Sequence, residues 1–235
     1  MNFLAIRGIV CIVTVCSYFC RWRLIVAFDR EAFLNVLEDS YSAYYNIVKE
    51  GFSESLPLVF RADYFKRDER YWLTKSVKYY GNETNEMVYV FTAPVFDRAA
   101  AAECIQFAMD DGLPRVKPHK EHQYTNIKVI FLADDFSEDA LKEIESRKFQ
   151  KSYHFSLWGY TNLITAAVNV KEEKTWTNAA GRDMKKYFTK LFTAQKKNTF
   201  LTHCSQIPPS LRSLWLKVFL KKITAITPEN GCLYL

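Results

Sequence analysis

Glycine is scarce in this 235-residue chain: seven residues, at 8, 51, 81, 112, 159, 181 and 231, no two of them close neighbours. A phosphate loop or a dinucleotide-binding turn needs several glycines in one short stretch so that the backbone can wrap a phosphate. Neither can be built here, and no nucleotide cofactor is expected. The Gly-x-Ser-x-Gly elbow of serine hydrolases is missing as well. Six cysteines, at 11, 16, 20, 104, 204 and 232, form no Cys-x-x-Cys pair. No His or carboxylate stands beside the first three to complete a metal site, and the set reads as small apolar residues of a reducing compartment.

What is present is core material. Hydrophobic residues make up 49% of the chain and charged ones 25%, with 18 Phe, 14 Tyr and 5 Trp, which excludes disordered and low-complexity classes. The net charge of +6 is unevenly spread. Residues 1–28 hold three Arg and no acid, residues 29–181 hold 19 basic and 24 acidic groups, and residues 182–222 hold ten basic groups against Asp183. A mildly acidic middle thus lies between two cationic ends, and the overall balance is no argument for a nucleic-acid binder.

Three segments follow from the patterning. Residues 1–28 form an apolar leader, with thirteen uncharged residues from Gly8 to Cys20, short of the roughly 20 that span a bilayer. It reads either as a membrane segment or as residues upstream of the true start. If it spans, Arg21, Arg23 and Arg30 behind it favour a cytoplasmic domain. Residues 29–193 read as one α/β (α+β) domain. A helix from Asp29 to about Glu50 precedes strands at 57–66, 70–80 and 86–93, with turns at 66–69 and 81–85. Asp97 opens an Ala-rich helix that Gly112 and Pro114 close, the run 125–133 is a buried central strand, and Ser137 caps a helix to about Lys148. Strands at 151–158 and 163–170, a tight turn at 171–174 and a helix after Gly181 complete a mixed, mainly antiparallel sheet flanked by helices. That last helix turns Met184 and Phe188 inward and Lys185, Lys186 and Lys190 outward. Residues 194–235 form a tail whose stretch 210–226 is a basic amphipathic helix.

Three short motifs recur in order: Glu121-His122 before the central strand, Lys151-Ser152-Tyr153-His154-Phe155 running to Gly159-Tyr160, and Asn178 with Gly181-Arg182. In them the chain resembles an uncharacterised family of bacterial proteins, common among clostridia and known as a domain of unknown function, over about residues 29–193. Tyr160 stands where that family often has Trp, and Arg182 where it often has Lys. The resemblance implies a fold and a bacterial source and carries no activity.

Candidate chemistry is sparse. His119 and His122 at i, i+3 with Glu121, and Asp134 with Asp135, are the residues a metal-dependent hydrolase or nuclease would use. The triplet Glu172-Glu173-Lys174 matches a nuclease Glu-x-Lys, with Asp134, Asp135 or Asp139 as first acid, although it falls in a turn. Cys104 reads as a buried thiol, and His154 shares a strand face with Ser152, Ser156 and Trp158. Aromatics and cations interleave over residues 64–80, but Asp63, Asp68 and Glu69 dilute the charge and disfavour nucleic acid. The sharpest feature is the 210–226 helix, where an apolar stripe with Trp215 and Phe219 opposes Lys217, Lys221 and Lys222. With Arg21 and Arg23 it suits an anionic membrane surface or a groove in a protein partner. The expectation is therefore a cytoplasmic, membrane-associated binding or regulatory module without catalysis, the metal-dependent hydrolase being the alternative. Whether it is an enzyme, and with which cofactor, the residues leave open.

Overall fold

A computed structural model describes residues 29–50, 56–71 and 78–206. The leader and the 210–226 helix lie outside them. Helix α1 spans Arg30–Ser42, followed by strands β1 (Asn46–Val48), β2 (Leu58–Tyr71) and β3 (Lys78–Phe96). Helix α2 (Arg98–Arg115) leads to β4 (His122–Phe136), and α3 (Glu138–Ser146) to β5 (Gln150–Ser152), β6 (Tyr160–Asn169) and β7 (Lys174–Thr177). A 3-10 turn at Ala179–Gly181 opens α4, Arg182–Gln206. Within the described residues, those up to Leu191 form one compact unit.

The fold is α/β, with a seven-stranded mixed sheet in the order β1-β2-β3-β4-β6-β5, and β7 also pairing β6. Its three central strands are parallel: β4 pairs β3 from Glu83↔His122 to Phe96↔Phe136, and β6 from Tyr124↔Tyr160 to Ala133↔Asn169. The remaining pairings are antiparallel. Covered on both faces, β4 reads as a nearly continuous apolar run, with Ile127, Val129, Ile130, Phe131 and Leu132 fully buried. On one face Met87, Tyr89, Phe91, Val129 and Phe131 pack against Cys104, Ile105 and Ala108 of α2 and Ile144 of α3. On the other, the Tyr41 ring of α1 lies 6.5 Å from Phe60 and 6.2 Å from Tyr187 of α4. Ser40 Oγ and the Tyr187 hydroxyl share a 2.8 Å hydrogen bond.

Both crossover helices start as expected. Asp97 accepts from the Ala100 N–H at 2.7 Å and Ser137 from the Ala140 N–H at 3.1 Å. Gly112, expected to end α2, lies inside it, because a Cβ there would stand 2.9 Å from Ile127 Cδ1 and push the helix off the sheet. Helix α1 stops at Ser42, eight residues short of expectation, and Asn46–Val48 joins the sheet edge instead.

The three strands expected over 57–93 are two long ones. Pairing runs unbroken across both expected turns, with Lys66 opposite Thr84 and Glu69 opposite Gly81. Because β4 begins to pair β3 only at Glu83, the outer part of this hairpin pairs as two strands beyond the end of β4. The polar clusters at 66–69 and 81–85 imitate turns. The strand expected at 151–158 is only Gln150–Ser152, so the shared face of Ser152, His154, Ser156 and Trp158 does not exist.

Burial raises the pKa of Tyr41, Tyr45, Tyr89 and Tyr187, and hydrogen bonds to Glu86 and Asp111 push Tyr45 and Tyr89 further. Unfolded tyrosines lose their proton near pH 10, before the folded ones do, so this contribution is complete below that pH and lost above it. The urea midpoint should be flat from about pH 8 to 9.5 and fall above about pH 10. Tyr45→Phe should reduce the slope of that fall.

Candidate functional site

The residues of the expected metal site do not come together. Glu121 and His122 stand at the start of β4 and Asp134 and Asp135 near its end, twelve residues on from His122, or about 40 Å at the rise of a β-strand. One metal ion cannot be held by all four. Among the described residues no group of three or more His, Cys, Asp or Glu is placed to hold a metal ion. Asp134 faces Lys171 at 3.5 Å and Arg30 at 3.9 Å, and Asp135 accepts the Phe136 N–H at 2.8 Å. Glu172 and Lys174 pair with each other at 2.8 Å in the exposed β6–β7 turn. Cys104 is buried in α2, where desolvation pushes its thiol up to about 12, out of reach of nucleophilic use at neutral pH. Arg21, Arg23, Trp215, Lys217, Phe219, Lys221 and Lys222 lie outside the described residues.

At the start of β4 both histidines serve as clamps. His119 Nδ1 accepts the Glu121 N–H at 3.2 Å, which leaves Nε2 to donate to Glu83 at 2.6 Å. Glu83, only 7% exposed, also accepts from Arg67 at 2.8 Å, and Arg67 reaches Glu121 at 2.9 Å. His122 is 3% exposed. Its Nδ1 donates to the Trp158 carbonyl at 2.7 Å, so Nε2 accepts from the Thr125 hydroxyl at 2.9 Å. Neither ring keeps a free nitrogen.

What His122 holds is a segment that periodicity misreads. Between β5 and β6 the chain turns left-handed at His154, Phe155 and Ser156 (φ 48°, 54° and 68°) and again at Gly159 (71°). Each such residue other than Gly costs about 1–3 kcal/mol, so the surroundings must impose the turn. Tyr153 and Gly159 close it at 3.0 Å, the His154 ring stacks on Trp158 with centroids 4.8 Å apart, and the Tyr153 hydroxyl meets Thr161 Oγ1 at 3.0 Å. The turn carries two large apolar side chains in water, Phe155 at 95% and Leu157 at 71% exposure. Alternating aromatics made it look like a strand, and Gly159 was its only signal. A Cβ at Gly159 would lie 2.2 Å from the Gln123 carbonyl oxygen. Gly159→Ala should therefore cost more than the roughly 1–2 kcal/mol of left-handed backbone alone, read as a lower urea midpoint.

The second feature follows β7. Asn178, 2% exposed, donates through Nδ2 to the Arg147 and Leu163 carbonyls at 3.0 and 2.9 Å. Beyond it, Thr177, Asn178 and Ala179 with Arg182, Lys185, Lys186, Thr189 and Lys190 of α4 line an open cleft of about 620 Å³. The α4 residues recur at i, i+3, i+4, i+7 and i+8 and so share one helix face, while Met184 and Phe188 are buried as expected. Lys186 pairs with Asp183 at 3.1 Å. Arg182, Lys185 and Lys190 make no ion pair among the described residues. Asn178→Asp should cost about 3 kcal/mol or more, because a buried carboxylate cannot donate to two carbonyls. Asn178→Ala should cost about 1–3 kcal/mol in the same urea titration.

The strained turn and the basic cleft both lie within residues 29–190, which the model of a domain of unknown function (DUF8052) matches, and they contain the second and third of the short motifs. No curated protein and no solved structure matches the chain. On that match, which covers well over half of the sequence and includes the entire parallel core, the chain belongs to the DUF8052 family of domains of unknown function.

Proposed function

We propose that this domain is a non-catalytic binding module that holds to an anionic membrane surface through the cleft on α4. The observation that carries the reading is the concentration of Arg182, Lys185, Lys186 and Lys190 along one open face, three of them without an acidic partner among the described residues. Cations near an anionic leaflet are each worth about 1 kcal/mol and need no shaped pocket, which suits an open cleft. The cytoplasmic leaflet is the anionic one, consistent with the location expected from Arg21, Arg23 and Arg30. The titratable groups also support binding over catalysis, since both histidines at the start of β4 spend every ring nitrogen on structure.

Among the described residues no helix is long and apolar enough to cross a membrane, and the reading requires only surface contact. The test is co-sedimentation of the full chain with phosphatidylserine-containing vesicles at low salt. Lys185→Ala with Lys190→Ala should weaken binding roughly 10- to 30-fold, and added salt should weaken the wild type similarly. A full chain that stays in the supernatant at low salt would refute the reading.

A further inference from the structure

We propose that the left-handed turn at residues 153–158 is a lipid-inserting finger, with Phe155 and Leu157 entering the acyl boundary while the α4 cleft meets the headgroups. The inference rests on the membrane reading above. Exposure is its first ground: these two side chains are 95% and 71% exposed on one short turn. The second is the cost of the geometry. Within the turn His154 stacks on Trp158 and meets the Phe155 ring edge-on at 6.3 Å, yet the left-handed backbone that closes the turn still carries Phe155 and Leu157 into water.

The third ground is rigidity. Gly159 seats the turn against the Gln123 carbonyl, His122 fixes the Trp158 carbonyl, and the His154–Trp158 stack braces its inside. A tip held in this way gives up little conformational entropy on insertion. The fourth is placement beside positive charge. Lys148 and Lys151 are exposed just before the turn, and Asn178, which opens the cleft, sits beside Leu163 and Thr165. Tyr160 and Thr165 are five residues apart on β6, about 16 Å at strand rise. Finger and cations therefore share one edge of the sheet.

Size decides for lipid over a protein partner. Two side chains present at most about 400 Å² of apolar surface, about half of what each partner gives a standard protein interface. A lipid boundary imposes no such requirement, and the attraction is completed by charge.

The experiment compares the full chain with Phe155→Ser/Leu157→Ser and with Lys185→Ala/Lys190→Ala on phosphatidylserine-containing vesicles at low and high salt. Both side chains of the first variant point into solvent, so it should keep the wild-type urea midpoint. It should bind about tenfold more weakly or worse, with the salt dependence of the wild type retained. Phe155→Trp should bind as the wild type does and show quenching by bromine-labelled acyl chains beyond that of the wild type's five Trp, which a merely structural role would not produce. An unchanged vesicle affinity of the Ser variant, with the Lys variant still weakened, overturns the finger and leaves the surface reading standing. An absence of vesicle binding by the wild type removes both. An unquenched Trp at position 155 on bound protein also overturns the finger, and points to a protein partner for that turn.

Discussion

The open edge of β6 is the constraint around which the rest of this domain is arranged. β6 is the last of three parallel strands, and a parallel strand at the margin of a sheet leaves a row of peptide groups to be satisfied. No single strand does so here. β5 pairs residues 160–162 and β7 pairs 166–169, while the gap between them is closed by the Phe149 carbonyl, the Asn178 backbone N–H and the Asn178 amide. This patchwork has two structural consequences. To bring β5 back antiparallel onto β6 within a few residues, the chain must reverse in a tight left-handed turn, and to leave β7 for α4 it must corner at Asn178. The strained turn and the cationic cleft are therefore products of one edge being closed by pieces.

The same logic explains which parts of the sequence were legible. β4 could be read because burial on both faces removes polar residues from it, and α2 and α3 because Asp97 and Ser137 cap them with their own side chains. The helix after Gly181 could be read because burial falls on Met184 and Phe188 while the lysines stay out. In the hairpin the strands could be read but the turns at 66–69 and 81–85 were not turns, since polar clusters there imitate them within continuous pairing. The turn at 153–158 failed in the opposite way. Tyr153, Phe155 and Leu157 alternate with polar residues as a strand does, but two of these side chains face water and one packs inward. Alternation records burial only when the apolar side is buried, and here it is not.

Of the histidines and carboxylates that suggested chemistry, His119 and Glu121 turn out to hold the long hairpin at the start of β4. Glu83 is nearly buried, and a buried carboxylate is costly unless several donors meet it. Arg67 from β2 and His119 from the α2–β4 loop supply them. Nearer the core, Asp63 of β2 and Asp111 of α2 are shared by Arg61 of β2 and Arg115 of α2, with the Tyr89 hydroxyl donating to Asp111 at 2.6 Å. These pairs tie β2 and β3 to α2 where the sheet is three strands wide or more. Sequence spacing cannot separate this role from catalysis, because both call for the same residue types close together. Only the partners of each nitrogen and oxygen separate them, and here His119, His122 and Glu83 have their partners within the fold.

On the membrane reading proposed above, charge and exposed apolar surface on one edge would divide the work of attachment by range. Coulombic attraction from Arg182, Lys185, Lys186 and Lys190 extends about a Debye length, some 8 Å at physiological salt, and would govern approach and orientation. Apolar insertion acts only on contact, is insensitive to salt, and governs how long the contact lasts. A domain with the cations alone would bind fast and leave fast. Phe155 and Leu157 without the cations would have nothing to orient them toward the surface. Because β6 joins the two features, orienting the first would on that reading also aim the second, and the contacts that hold His154, Phe155 and Ser156 in their left-handed turn would keep the tip preformed at the moment of contact.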